Sequence, residues 1–209
     1  MIPFILAFLI LLSVIWYFFI FDTTLTRDLL LQQARRFEND GNTSAAVWRY
    51  NLAYLQSGHD DAVAIELSEQ FKAIGNYSKA ESTLNKAIQN GGGLEVYIAL
   101  CKTYIEQDKL RDAVTMLDKV ANKDIKAQLN EIRPKAPEAS VATGTYNEYL
   151  QVIFTAETGT LYLSTDLDYP SVNTDAYVRP LVLPGGQTTA YALCIGENGL
   201  VSPLAIYGY

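Results

Sequence analysis

The 209-residue sequence contains little cysteine, little histidine and little positive charge. Its two cysteines, Cys101 and Cys194, are too few for a disulfide-stapled fold, and we expect both to be buried packing residues. The single histidine, His59, argues against a histidine metal site and a serine–histidine–aspartate apparatus. A net charge of −7 argues against nucleic acid, which requires a basic face. The composition therefore predicts no catalytic residue, no metal and no cofactor.

Long apolar runs are lacking except at the start, where 18 of the 20 residues in 2–21 are apolar. Twenty helical residues at about 1.5 Å each span roughly 30 Å, one hydrocarbon core. Trp16, Tyr17 and Phe21 gather at the far end, as in an aromatic belt. No basic residue precedes the run and no small-residue cleavage site follows it, which disfavours a signal peptide. The sequence thus predicts an uncleaved single-pass transmembrane anchor over 2–21.

A pattern then recurs every 33–34 residues, and each unit predicts an antiparallel helix pair. Small residues would let the two helices approach closely, and an aromatic residue would fill the space between them. Gly75 would form the turn of the second unit, because glycine adopts left-handed backbone readily. The recurring aromatic positions are Phe37, Phe71 and Tyr104, and the recurring small positions are Ala46, Ala80 and Ala113.

These positions resemble the tetratricopeptide repeat (TPR) from Arg27 to about Lys123. The resemblance implies a three-repeat α-solenoid within 22–133, with Asp124–Arg133 as a capping helix; an unrelated bundle of helical hairpins is the alternative. It also implies that the first helices line a groove for a protein or peptide partner. By position, the predicted groove residues are Arg35, Glu38, Asn39, Glu69, Lys72, Lys102 and Glu106.

The composition changes after Arg133, where residues 134–137 (PKAP) predict a stiff linker. Eight of the fourteen tyrosines follow it. Asn198-Gly199 is a strong hairpin signal, and short strands at regular spacing predict an antiparallel β-sandwich over 138–209. The predicted strands are Tyr149–Thr155, Thr160–Thr165, Tyr177–Leu183, Thr188–Gly196 and Leu204–Tyr207.

Within this region, three runs resemble the immunoglobulin-like C-terminal domain of the chitobiase/β-hexosaminidase family. The runs are TLYLSTD at 160–166, PLVL at 180–183 and TAYA at 189–192, and the resemblance covers about Pro137–Tyr209. In that family the domain is an accessory, so the resemblance implies no catalytic residue and at most a carbohydrate-binding or surface role. Tyr169 and Tyr177 flank an irregular loop and are the predicted glycan-stacking residues.

Together these features predict a bacterial-type, membrane-anchored adaptor that is not an enzyme. Its helical repeats would bind a protein partner, and its β-sandwich would bind cell-surface glycan or protein. The surface role of the similar domain favours an extracytoplasmic soluble part, whereas Arg27, Arg35 and Arg36 after the anchor favour the cytoplasm. The alternatives are a cytoplasmic-facing scaffold that binds only protein, and an accessory subunit of a glycoside hydrolase.

Overall fold

The structure, a computed structural model, describes Ser13 and residues 23–166, 169–183 and 185–209. Helices come first along the chain and short antiparallel strands follow, which confirms the predicted order of helical and strand regions. The helices are α1 (Thr23–Asn39), α2 (Thr43–Gln56), α3 (Asp61–Ala73), α4 (Tyr77–Gln89), α5 (Leu94–Glu106), α6 (Leu110–Asp118) and α7 (Lys123–Ile132). The strands are β1 (Glu138–Ala139), β2 (Leu150–Val152), β3 (Phe154–Thr155), β4 (Thr160–Ser164), β5 (Leu181–Leu183), β6 (Thr189–Ile195) and β7 (Ala205–Gly208).

The described helices do not include a membrane span. Helix α1 has 17 residues and carries Arg27, Asp28, Arg35 and Arg36, so it is too short and too charged for a bilayer. Across residues 23–166, 169–183 and 185–209, no helix combines the length and the apolarity that crossing requires. This finding contradicts the predicted single-pass membrane localisation. The predicted anchor, 2–21, lies outside the described residues apart from Ser13.

The chain divides into two compact units, one that ends at Gly92 and one formed by Gly93–Tyr209. The third helix pair, α5 and α6, therefore groups with the strands rather than with α1–α4. Residues 134–137, predicted as a linker, lie inside the second unit, where Pro134 and Pro137 are buried. Both prolines therefore pack within this unit, at the passage from helix to strand.

In the first unit, helices pack through small side chains, as the repeat pattern predicts. Helices α2, α3 and α4 each begin at a side-chain cap, in which Asn42, Asp60 or Asn76 accepts a bond from a backbone N–H of the first turn. Gly75 has φ of 74° and forms the predicted left-handed turn. The small residues that are buried at the helix contacts are Ala34, Ala46, Ala53, Ser68, Ala80 and Ala87.

In the second unit, the strands form three small antiparallel sheets around one apolar core. The sheet orders are β1-β3, β2-β5 and β4-β6-β7. In the register of the largest sheet, Leu161 of β4 lies opposite Cys194 of β6, and Ala190 of β6 lies opposite Tyr207 of β7. The central buried residues come from all three sheets: Val152, Phe154, Leu161, Leu183, Ala190 and Ala192.

Two of the predicted strands differ from the observed ones. The predicted strand Tyr149–Thr155 is divided at Ile153, because β2 pairs with β5 whereas β3 pairs with β1. Residues 177–180 are not a strand. The Tyr177 amide makes one bond, to the Leu161 carbonyl at 2.8 Å, and Pro180 has no N–H to continue a ladder.

The third helix pair is joined to the strand region by one acidic turn residue. Asp108 adopts left-handed backbone, with φ of 58°, in the connection between α5 and α6. Its carboxylate accepts bonds from the Ser171 hydroxyl at 2.5 Å, the Val172 amide at 2.8 Å and the Asn173 side-chain amide at 3.0 Å. These three donors fix the 171–173 loop on the helical turn.

A second connection within this unit centres on the end of α7. The Arg133 guanidinium donates to the Val201 carbonyl at 2.7 Å and pairs with Asp118 at 2.6 Å. The Asn198 side-chain amide donates to the Ile132 carbonyl at 2.7 Å. The predicted hairpin residue Asn198 thus binds helical backbone, while the Gly199 amide donates to the Gly196 carbonyl within the turn at 2.9 Å.

Both cysteines are free and buried, which confirms their prediction as packing residues. Burial raises the pKa of the Cys101 thiol to about 11 and also raises the pKa of the Cys194 thiol. An exposed thiol ionises near about 8.5, so on alkalinisation the unfolded state loses its proton first. The stability that neutral Cys101 contributes is complete below that pH, and it is lost as the pH rises through about 11.

We expect Cys101 and Cys194 to resist Ellman's reagent in the folded protein at pH 8. The reagent reacts with thiolate, and burial limits both ionisation and access, so roughly one thiol in ten or fewer should react. Both thiols should react at once in guanidinium chloride, which provides the internal control. Rapid reaction of either cysteine in native buffer would show that its strand or helix opens readily.

Candidate functional site

The charged residues predicted to line a groove on α1 are bound to neighbouring helices. Arg35 pairs with Glu66 of α3 at 2.7 Å, and this hydrogen bond raises the pKa of Arg35. Glu38 accepts bonds from the Tyr50 hydroxyl at 2.8 Å and the Gln70 side-chain amide at 2.7 Å. Burial is the main cause that raises the pKa of Tyr50, and the hydrogen bond to Glu38 raises it further. The network connects α1 with α2 and α3, so these side chains have structural partners already.

The remaining predicted groove residues are placed in two units. Asn39 is exposed at the end of α1, and Lys72 pairs with Glu69 one turn away on α3 at 2.9 Å. Lys102 and Glu106 lie on α5, in the second unit. There the stem of Lys102 fills the space where Gly199 lacks a side chain, since an added Cβ would lie 2.3 Å from its Cε.

The two tyrosines predicted to stack on sugar have partners within the protein. The Arg111 guanidinium lies 4.6 Å from the ring centroid of Tyr169. The Tyr177 hydroxyl accepts a bond from the Phe154 amide at 3.1 Å, and its ring meets Phe154 edge to face at 5.8 Å. Tyr177 therefore packs against the core, and one face of Tyr169 is covered by a cation.

A groove that the sequence reasoning missed lies between α2 and α4, and we call it the lysine groove. It has a volume of about 380 Å³. Helix α2 supplies one wall, α4 supplies the other, and Phe71 of α3 lies between them. The lining residues are Ser44, Val47, Trp48, Asn51, Phe71, Lys79, Ser82, Thr83 and Lys86.

The lysine groove combines aromatic surface with positive charge. The Lys79 ammonium lies 5.5 Å from the ring centroid of Phe71, and Lys86 follows two turns later on the same face of α4. Trp48 is 55% exposed, with the Arg49 guanidinium 4.5 Å from its ring centroid. No acidic side chain is among the residues that line the groove. In a chain of net charge −7, this is a local positive site with an exposed aromatic ring.

The signal for the lysine groove is present in the sequence but falls on the second helix of each pair. Lys79 and Lys86 are seven residues apart, which places them on one helical face. Trp48 stands on the second helix of the preceding helix pair. The prediction considered only the first helices, because the TPR resemblance implies a groove there. Exposure of Trp48 depends on tertiary packing and could not be predicted from spacing.

No protein-family model matches the sequence, and no curated protein matches it. Among the described residues, no group of three histidine, cysteine, aspartate or glutamate side chains could hold a metal ion. The family resemblances therefore stay predictions.

Proposed function

We propose that this protein is a non-catalytic binding protein whose lysine groove holds an acidic segment of a protein partner. The observation that carries the proposal is the half-exposed Trp48 beside Lys79 and Lys86, in a groove without an acidic lining residue. Tryptophan is enriched among residues that dominate binding energy at interfaces. The lysines would attract glutamate or aspartate, and the aromatic rings would cover the apolar parts of the segment.

Charge supports this choice of partner. The protein is acidic overall, so an acidic partner would be repelled by most of its surface and attracted at the lysine groove. The α1 surface has fewer charged groups available to a partner, because Arg35 is paired with Glu66 and Glu38 is bonded to Tyr50 and Gln70. Binding there would first have to break those contacts.

The proposal retains the finer architecture suggested by the sequence, in which α1–α6 are TPR-like repeats and the strands form a β-sandwich. Burial of Ala46, Ala80 and Ala113, at a spacing of 33–34 residues, supports the repeat interpretation. The shared core of three antiparallel sheets supports the sandwich interpretation. Stacked helix pairs use their surfaces for protein binding, so the architecture and the proposed function agree.

Intrinsic fluorescence provides a direct test. The protein has two tryptophans, so a Trp16→Phe background leaves Trp48 as the reporter. The full chain is titrated with a peptide of repeated Glu-Glu-Leu triplets, which contains no tyrosine or tryptophan. A peptide of repeated Lys-Lys-Leu triplets is the control. We expect a saturable blue shift of Trp48 emission with the acidic peptide only, because the ring leaves water on binding. The affinity should fall as salt is added, because exposed charges are screened.

Reversing the groove charge should abolish that binding. The Lys79→Glu/Lys86→Glu variant is expected to bind the acidic peptide at least about tenfold more weakly, since two attractions become repulsions. The matched control is Lys119→Glu/Lys123→Glu, which makes the same change in net charge at exposed positions of the second unit. Equal affinities for both variants would show that overall charge, and not the lysine groove, attracts the peptide.

A further inference from the structure

A second open cleft lies within the Gly93–Tyr209 unit, where the 143–146 segment passes the end of β7. We call it the tyrosine cleft. Its volume is about 570 Å³, within the roughly 300–1,000 Å³ of sites that bind small ligands. The lining residues are Thr143, Gly144, Thr145, Tyr146, Gly186, Gln187, Gly208 and Tyr209.

Two aromatic rings of the tyrosine cleft are held in place by their own hydroxyl groups. The Tyr146 hydroxyl donates to the Ala142 carbonyl at 2.7 Å, and the Tyr209 hydroxyl donates to the Val141 carbonyl at 3.1 Å. Their ring centroids are 6.4 Å apart and the ring planes meet at 45°. Because consecutive carbonyls fix both hydroxyls, the ring faces are preorganised and little side-chain entropy would be lost on binding.

The backbone around the cleft is also fixed. The Tyr209 amide donates to the Thr188 carbonyl and the Thr188 amide donates to the Tyr209 carbonyl, both at 2.9 Å. The Gly144 amide donates to the Gly208 carbonyl at 3.0 Å. These bonds connect the 143–146 segment and Tyr209 to the sheet, so that the two rings stand on a rigid support.

The side chains that line the tyrosine cleft are polar or aromatic but uncharged. No side chain that lines it carries a charge, whereas the lysine groove has two ammonium groups. Gln187 provides an amide that can both donate and accept, and Thr145 provides a hydroxyl with the same capacity. Both residues are exposed. Neutral donors and acceptors beside flat apolar faces match a ligand that has hydroxyl groups at its edge and C–H groups on its faces.

We propose that the tyrosine cleft binds a short neutral oligosaccharide, with pyranose rings stacked on Tyr146 and Tyr209 and hydroxyl groups bonded to Gln187 and Thr145. A pyranose with equatorial hydroxyls presents C–H groups on its faces, which suit the negative faces of aromatic rings. An anionic ligand lacks a cation in the lining, and a purely apolar ligand would leave Gln187 and Thr145 without partners. This inference concerns the strand region and does not depend on the lysine groove.

Calorimetric titration of the full chain with cellotetraose and with N-acetylchitotetraose tests the proposal. We expect saturable binding of at least one of them, with Kd on the order of 1 mM. Tyr146→Ala removes one stacking face and Gln187→Ala removes the amide, and each should weaken binding at least about fivefold. The matched control is Tyr149→Ala, which removes a tyrosine that is 89% exposed and lies outside the cleft. It should leave affinity unchanged.

The location of binding provides a second readout that does not depend on the tyrosine variant being folded. In amide NMR spectra, either oligosaccharide should shift the signals of 143–146, 186–187 and 208–209. If circular dichroism shows that Tyr146→Ala is unfolded, Gln187→Ala decides, because an exposed glutamine can be removed without loss of packing. The Lys79→Glu/Lys86→Glu variant should bind oligosaccharide normally. Three results would overturn the proposal: no binding of either sugar, shifts confined to other residues, or unchanged affinity in Gln187→Ala.

Discussion

Replacing Ala80 by aspartate is expected to unfold the helices of the first unit. Ala80 is fully buried on α4, so a carboxylate at this position would be removed from water at a close helix contact. An unpaired charge in such a position costs several kcal/mol, about 3–5, against a total stability of about 5–15 kcal/mol for a typical domain. The melting transition followed by helical circular dichroism and by Trp48 emission, in the Trp16→Phe background, should fall sharply or disappear.

Ser78→Asp is the matched control for Ala80→Asp. It introduces the same side chain on the same helix, but Ser78 is exposed in the first turn of α4. A negative charge near a helix N-terminus is favourable by a few tenths of a kcal/mol, so this variant should melt at or slightly above the wild-type temperature. If both variants melt alike, Ala80 does not lie at a close helix contact and the repeat interpretation fails.

Asp108→Gly is expected to destabilise the second unit by about 2–3 kcal/mol. Glycine adopts the left-handed backbone at this position without strain, so the loss isolates the three hydrogen bonds to the 171–173 loop. Bonds to a charged acceptor are stronger than neutral ones, and the Val172 amide would lose its partner. Hydrogen exchange should show the Val172 amide protected in the wild type and rapidly exchanging in the variant.

Two further substitutions separate the causes of that effect. Asp108→Asn tolerates left-handed backbone and keeps one acceptor oxygen, so its loss of stability should be intermediate. Asp112→Ala removes an exposed acid from the first turn of α6 and should cost less than about 1 kcal/mol. A wild-type exchange rate at Val172 in Asp108→Gly would mean that the loop is held by other contacts.

The helix pairs could be predicted because their determinants are local and periodic. Ala46, Ala80 and Ala113 recur at 33–34 residues, and all three are fully buried in the structure. Gly75 marks its turn by residue type alone, and its φ of 74° confirms the prediction. The capping segment predicted at Asp124–Arg133 is helix α7, with bounds that differ by one residue. Short-range spacing and turn chemistry were sufficient for each of these elements.

The joining of the third helix pair to the strands could not be predicted in this way. In the sequence, Asp108 stands at the position that Gly75 occupies in the second helix pair, which looks like a departure from the repeat. In the structure, the same aspartate adopts the left-handed turn and binds residues 63 to 65 positions later. Contacts over such separations leave no periodic trace in a single sequence, and so the boundary after Gly92 was not anticipated.

The candidate binding sites also depend on long-range contacts that a single sequence does not reveal. Aromatic residues suitable for a sugar could be found by composition, and the strand region is rich in tyrosine. Which rings remain available depends on their neighbours: Arg111 covers Tyr169, Phe154 packs on Tyr177, and Tyr146 lines an open cleft. Likewise, pairing of Arg35 with Glu66, 31 residues away, could not be inferred from the helix positions alone.

The 143–144 segment has a consequence for self-association. Strand β7 is the last in its sheet, and an edge strand with unpaired amides and carbonyls can template pairing with another chain. Here the Gly144 amide bonds the Gly208 carbonyl at 3.0 Å, and the Gly208 amide bonds the Thr143 hydroxyl at 3.3 Å. The residues that wall the tyrosine cleft thereby occupy the end of this edge, so fewer of its amides and carbonyls remain to pair with another chain.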